Sequence, residues 1–199
     1  MGTTIQQVVE ELSDALTSAQ QQRRERVIAS AVALAQHGGY DAVQMRDVSN
    51  DAGVAMGTVY RYFRSKDHLL AATLVEWVRE LYEAMGQRPP QGESPAERVI
   101  AAIDRALRAM DREPQLVRAV FTSLSSPEPE AVACQKEISE LMNQIVLRAA
   151  GANAPSDIAE RSRMIGHVWY SALAAWISGW AEMSFVADEV TIATRFLLP

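Results

Sequence analysis

The sequence predicts an all-α chain of nine to ten helices, and three observations carry that expectation. Apolar residues recur with helical period along nearly the whole length, and no segment alternates as a strand would. Breaker residues fall between the periodic runs: Gly38-Gly39, Gly53, Pro89-Pro90, Pro114 and Gly151. Ser94, Pro95 and Glu97 form a capping box with proline at the first helical position, a start signal specific to helices.

Taken in order, Ile5, Val8, Val9, Leu12 and Leu16 suggest an amphipathic arm within residues 1–19, helical or disordered. A helix from about Gln21 to His37 follows, with Val27, Ile28, Ala31, Leu34 and Ala35 on its apolar side, and Gly38 and Gly39 end it. Short helices are expected over about Met45–Ala52 and Met56–Tyr62, separated by a turn at Gly53 and Val54. Ser65 caps the next, which reaches about Gly86. The capping box opens a helix ending near Arg112, and Pro114 opens a shorter one to Ser123. Ser126-Pro127 starts another that runs to Ala150, Ser156 caps a long apolar helix to Gly179, and Asp188 begins a last short one ending near Leu198.

Composition narrows the function classes. At 199 residues with 48% apolar content the chain is long enough for a packed core and is not a disordered protein. The net charge of −6 is unevenly spread. Residues 20–66 hold seven bases against four acids, whereas residues 67–199 hold twelve bases against eighteen acids. A basic module of 20–66 on an acidic body of 67–199 is the expected division. One cysteine, Cys134, excludes an intramolecular disulfide framework. No secretory signal opens the chain, so a cytoplasmic protein is expected. Met164–Ala181 is eighteen residues without a charged side chain, and its histidine, serines and alanines point to a helix buried by protein, not a membrane span.

The stretch 53–70, GVAMGTVYRYFRSKDHLL, carries the most chemistry. Two short helices joined at a small residue need an apolar core between them, and Val48, Ala52, Val54, Val59 and Phe63 can supply it. With Val59 inward, Gly57, Thr58, Tyr60 and Arg61 face outward, flanked by Tyr62. Hydroxyls can bond phosphates or base edges, and Lys66 adds a cation beside the first-turn amides of the next helix. Arg23, Arg24 and Arg26 are either a solvated helix start or a basic arm toward a nucleic-acid backbone.

From Arg23 to about Trp77 the chain resembles the DNA-binding domain of the TetR family of bacterial transcriptional regulators. The residues carrying the resemblance are Gly39-Tyr40, Val43-Gln44-Met45-Arg46, Val48, Ala52-Gly53-Val54, Gly57-Thr58-Val59-Tyr60, Tyr62-Phe63 and Ser65-Lys66. It implies an N-terminal helix-turn-helix domain and a C-terminal helical domain for ligand binding and dimerisation. The implied partners are double-stranded operator DNA, a second copy of the chain and a small hydrophobic effector. The DNA contacts it implies fall on Gln44, Arg46, Thr58, Tyr60, Tyr62 and Lys66, with Gly57 allowing close approach and Met56 at a base-facing position without a donor. Gln44 and Ala55 stand where the family usually has hydroxyl caps. Those departures, with Tyr60-Arg61-Tyr62-Phe63 and the run from Gly38 to Arg46, are similar to the TetR-type repressors of bacterial cholesterol and steroid catabolism.

In the larger domain Trp169, Leu173, Trp176 and Trp180 form one stripe, with Ser171, Ala174, Ala175 and Ser178 opposite. Such a stripe is either core or one wall of a site for a flat apolar effector. Ile103, Leu107, Met110, Phe121, Leu124, Met142 and Ile145 are the other candidate walls. The family's dimer interface implies the helices expected at Ser156–Gly179 and Asp188–Leu198. No cofactor is expected. His37, His68 and His167 are too dispersed for a metal site, and no nucleophile has the partners catalysis needs, so an enzyme is not expected. The competing expectation is a helical lipid or steroid carrier that lacks sequence-specific DNA binding.

Overall fold

The computed structural model describes residues 18–198, and the N-terminal arm read over Ile5–Leu16 lies outside them. Among the described residues there are nine helices and no strand: α1 Ser18–Ala42, α2 Met45–Asp51, α3 Met56–Tyr62, α4 Lys66–Gln87, α5 Pro95–Arg112, α6 Pro114–Ser123, α7 Pro129–Ala150, α8 Ile158–Ile177 and α9 Met183–Leu197.

Each element expected within the described residues is present, with corrections at several ends. The first helix does not finish at His37: it kinks at Gly38 and at Gly39, whose φ of 66° favours glycine, and then makes one further turn to Ala42. Between α2 and α3, Gly53 adopts φ 63° to turn the chain, and Ser49 Oγ donates to the Val54 carbonyl at 2.7 Å, pinning the turn from inside. Ser65 caps α4 by accepting from the His68 amide at 3.0 Å. The Ser94–Glu97 capping box is fully formed.

Ser126-Pro127 does not open α7. Glu128 precedes a second proline and is extended at φ −62°, ψ 134°, so the helix begins at Pro129. Ser156 caps nothing: Ile158 N donates to the Pro155 carbonyl in a turn, Asp157 takes the cap position without a side-chain bond to the helix backbone, and α8 stops at Ile177. The last helix starts at Met183, five residues before the expected Asp188, which lies inside it.

Packing is continuous. Val27, Ala31 and Ala35 of α1 meet Val48 of α2, Val59 of α3 and Phe63, all essentially inaccessible, and this closes the three-helix amino-terminal unit. α4 carries the core onward through Leu69, Leu70, Leu74, Val75 and Val78. It packs on α7 and α6, α8 pairs with α9, and α1 also packs against α6. Ion pairs link the layers: Arg24 of α1 meets Glu76 of α4 at 2.8 Å, Glu76 meets Arg79 at 2.7 Å, and Arg79 reaches Glu137 of α7. Among the described residues no helix is long and apolar enough to cross a membrane.

Candidate nucleic-acid interface

The short helix α3 has a sealed inner side and an open outer one. Val59 is fully buried, while Gly57, Tyr60 and Arg61 are exposed and Met56, Thr58 and Tyr62 are half-buried. Beyond its chain neighbours and its own helix backbone, a Cβ added at Gly57 would meet no atom of the described residues within 4 Å, so the packing leaves that position open. Arg61 lies over the Tyr62 ring at 5.3 Å and donates to its hydroxyl at 3.4 Å, so cation and phenol form one unit. Ala55, at the N-cap, contributes no side-chain bond.

Beside α3 stands the start of α4. Lys66 Nζ donates to the Tyr40 carbonyl at 3.2 Å and sits 3.7 Å from the centre of the Tyr40 ring. Tyr40 Oη in turn donates to Asp67 Oδ1 at 2.5 Å. Burial, reinforced by the Asp67 bond and charge, pushes the Tyr40 phenol up to about 12, so it stays a neutral donor. Lys66 is thus held at a fixed place with donors to spare. Gln44 and Arg46 are exposed at the start of α2. Gln44 makes no cap bond; its amide Nε2 donates back to the Asp41 carbonyl at 2.9 Å.

Of the three amino-terminal arginines, Arg23 and Arg26 are exposed. Arg24 is turned inward, paired with Glu76 and stacked over Phe63 at 5.5 Å. Sequence reasoning missed this joint. His68, on the first turn of α4, accepts from the Arg64 amide through Nδ1 at 3.1 Å and packs edge-on against Phe63 at 5.5 Å. Ser65 Oγ also donates to Glu128, the N-cap of α7, so two helix starts are tied together.

The effector candidates separate in space. Met110 and Phe121 line a cavity of about 310 Å³ between α1, α4, α5 and α6. Ile103, Leu107, Leu124, Ile145, Trp169, Leu173 and Trp176 are buried in the core away from it, and Met142 is half-buried against the core. Trp180 leaves the stripe altogether: it lies beyond the end of α8 and is 71% exposed. Among the described residues two buried side-chain polar atoms lack partners, Asn143 Oδ1 on α7 and Trp169 Nε1 on α8. On the outer side of α8 and α9, Met164, Tyr170, Ile192 and Phe196 are exposed, alongside Ser171 and Ala174.

Comparison with known proteins agrees with this layout. Residues 27–73 match the family described as bacterial regulatory proteins, tetR family. Residues 92–197 match the tetracyclin repressor-like, C-terminal domain. The chain is 36% identical over 186 residues to the HTH-type transcriptional repressor KstR of Rhodococcus jostii (strain RHA1), covering 93% of this chain and 87% of that one. Among solved structures it is similar to a TetR transcriptional regulator from Rhodococcus sp. RHA1, with a TM-score of 0.82, 29% identity, and coverage of 91% and 98%. The fold is shared with Thermus thermophilus FadR, a TetR-family repressor in complex with lauroyl-CoA, at a TM-score of 0.69, 22% identity, and coverage of 87% and 92%. Matched in both its amino-terminal unit and its helical body, the chain belongs to the TetR family of bacterial transcriptional regulators.

Proposed function

We propose that the chain is a repressor that binds a palindromic operator as a homodimer and leaves it when a hydrophobic effector binds. Residues 20–66 read the DNA, and residues 67–199 sense the effector and dimerise. The observation that carries the reading is α3, a helix with Val59 locked inside and Gly57 facing open space beside Thr58 and Tyr60. In the bound state Thr58 and Tyr60 meet base edges or phosphates. Gln44, Arg46, Tyr62 and Lys66 hold the backbone, and Met56 touches shape or a thymine methyl.

The effector is a large apolar molecule of lipid or steroid catabolism, a steroid or an acyl-CoA thioester. The similarity to KstR supports the steroid class, and the lauroyl-CoA of the FadR structure supports the acyl class. The partnerless Trp169 Nε1 and Asn143 Oδ1 support a ligand with a polar end between α7 and α8, since a buried orphan costs about 1–3 kcal/mol until it is paired. Binding shifts α4 and so the spacing of the two α3 helices. This needs an effector that prefers the conformation unable to bind DNA.

Anisotropy titrations with duplexes from the DNA upstream of the chain's own gene test the reading. Sequence-specific binding is expected, with log K falling against log salt by roughly 0.9 for each phosphate neutralised. Lys66→Ala should flatten that slope without altering base preference, and Thr58→Ala should alter preference at one position. Equal affinity for all duplexes would identify a carrier instead.

A further inference from the structure

We infer that the cavity between α1, α4, α5 and α6 is a binding site for a compact organic cation, an apolar body ending in an amine. The inference goes beyond the effector reading above, because this space lies apart from Trp169 and Asn143. Its volume of about 310 Å³ is at the small end of ligand pockets, about 300–1,000 Å³. The charged residues lining it are all acidic: Glu76, Glu80 and Glu113. Glu76 is already neutralised by Arg24 and Arg79, at 2.8 and 2.7 Å. Glu80 and Glu113 are exposed, and neither is in an ion pair with any described residue. The aromatic rings of Trp77 and Phe121 complete the wall.

Apolar walls, two aromatic side chains and two carboxylates outside any ion pair among the described residues are the combination that stabilises an alkylammonium: its stem is removed from water while its charge keeps oxygen partners. An anionic ligand of the same shape meets repulsion from the same carboxylates. The cavity also spans the two parts of the molecule, because Ile28, Val32 and Gln36 come from α1 and the rest from α4, α5, α6 and Glu113 at the joint between α5 and α6. A ligand seated there bridges the DNA-reading unit and the body, so occupancy and operator binding are linked.

Calorimetry on the full chain with three matched probes, 4-phenylbutylamine, 4-phenylbutanol and 4-phenylbutyrate, tests the site without DNA. The amine should bind at least tenfold more tightly than the carboxylate. The double variant Glu80→Gln/Glu113→Gln should bring the amine down to the affinity of the alcohol and leave the alcohol unchanged. Ala109→Trp fills the space and should abolish binding of all three with the helical circular dichroism intact. Val32→Phe, placed on the opposite wall, does the same should the first variant misfold. Equal affinities for the three probes, no binding of the amine, or an amine preference that survives the double variant overturns the assignment. With an operator duplex, saturating amine should change DNA affinity at least threefold in the parent and not in the double variant. An unchanged DNA affinity overturns the linkage. A chain that binds no operator at all counts against the regulator reading alone, because the calorimetric arms need no DNA.

Discussion

At Gly57 the fold and the proposed function ask for different residues. Among the described residues nothing occupies the space of an added Cβ, so Gly57→Ala should hold or raise stability, by up to about 0.5–1 kcal/mol as for glycine in any helix. In the proposed operator complex the same methyl group faces the DNA, so operator affinity should fall at least tenfold; thermal melts and anisotropy on one preparation separate the two effects. His68 carries a second residue-scale consequence. Burial holds its imidazole below the ordinary 6.5, with Glu130 and Glu128 opposing and Arg24 and Arg64 assisting. A histidine depressed in the folded state contributes stability above its unfolded value and loses it as pH falls through the folded one. Melts between pH 8 and pH 5 should therefore show stability declining below about pH 6.5. His68→Asn should remove that slope. The outward residues of α3 were legible in the sequence because helical spacing from a single buried valine places them. Arg24 was not, because its partner Glu76 lies 52 positions away and only packing joins them.

Among the elements, arginines finish the helices of the body. Arg98 of α5 donates to the carbonyls of Ala149 at 3.1 Å and Ala150 at 2.5 Å, at the carboxyl end of α7, where a cation also meets the helix dipole. Arg161 of α8 does the same for Leu197 at the end of α9. Arg98→Met keeps most of the stem and removes these bonds. It should cost about 1.5–3 kcal/mol, read as a lower urea midpoint with an unchanged slope. Helix starts were legible where a serine and a proline or glutamate act together, as at Ser94–Glu97. They were misread where signals overlap. Pro127 and Pro129 both resemble a first helical position, and the extended backbone forced on Glu128 decides between them. Asp188 looked like a start because no glycine or proline marks the true one at Met183. The apolar faces of the body were legible as faces, but whether a residue lines space or fills it depends on how helices meet. Only Met110 and Phe121 of the proposed effector residues border the cavity found.

For the molecule as a whole, the outer side of α8 and α9 is the surface proposed for pairing with a second copy. Phe196 is 83% exposed, with Ile192 one turn before it on α9 and Met164 and Tyr170 on α8. A second copy of the chain would cover this apolar surface, and the small Ser171 and Ala174 would let two helices approach closely. Phe196→Glu should give a monomer by sedimentation velocity. Its operator affinity should fall steeply, since one copy holds only half of a palindrome. Trp180, in the turn between α8 and α9, is 71% exposed and 5.5 Å from the ring of Phe185 at the start of α9. The other indoles are shielded to different degrees: Trp169 and Trp176 are buried and Trp77 is half-buried. Water relaxes around an excited indole and reddens its emission, so the long-wavelength edge of this protein's fluorescence belongs chiefly to one side chain. The chain therefore carries its own optical gauge of whether that flank is wet or covered, and needs no dye.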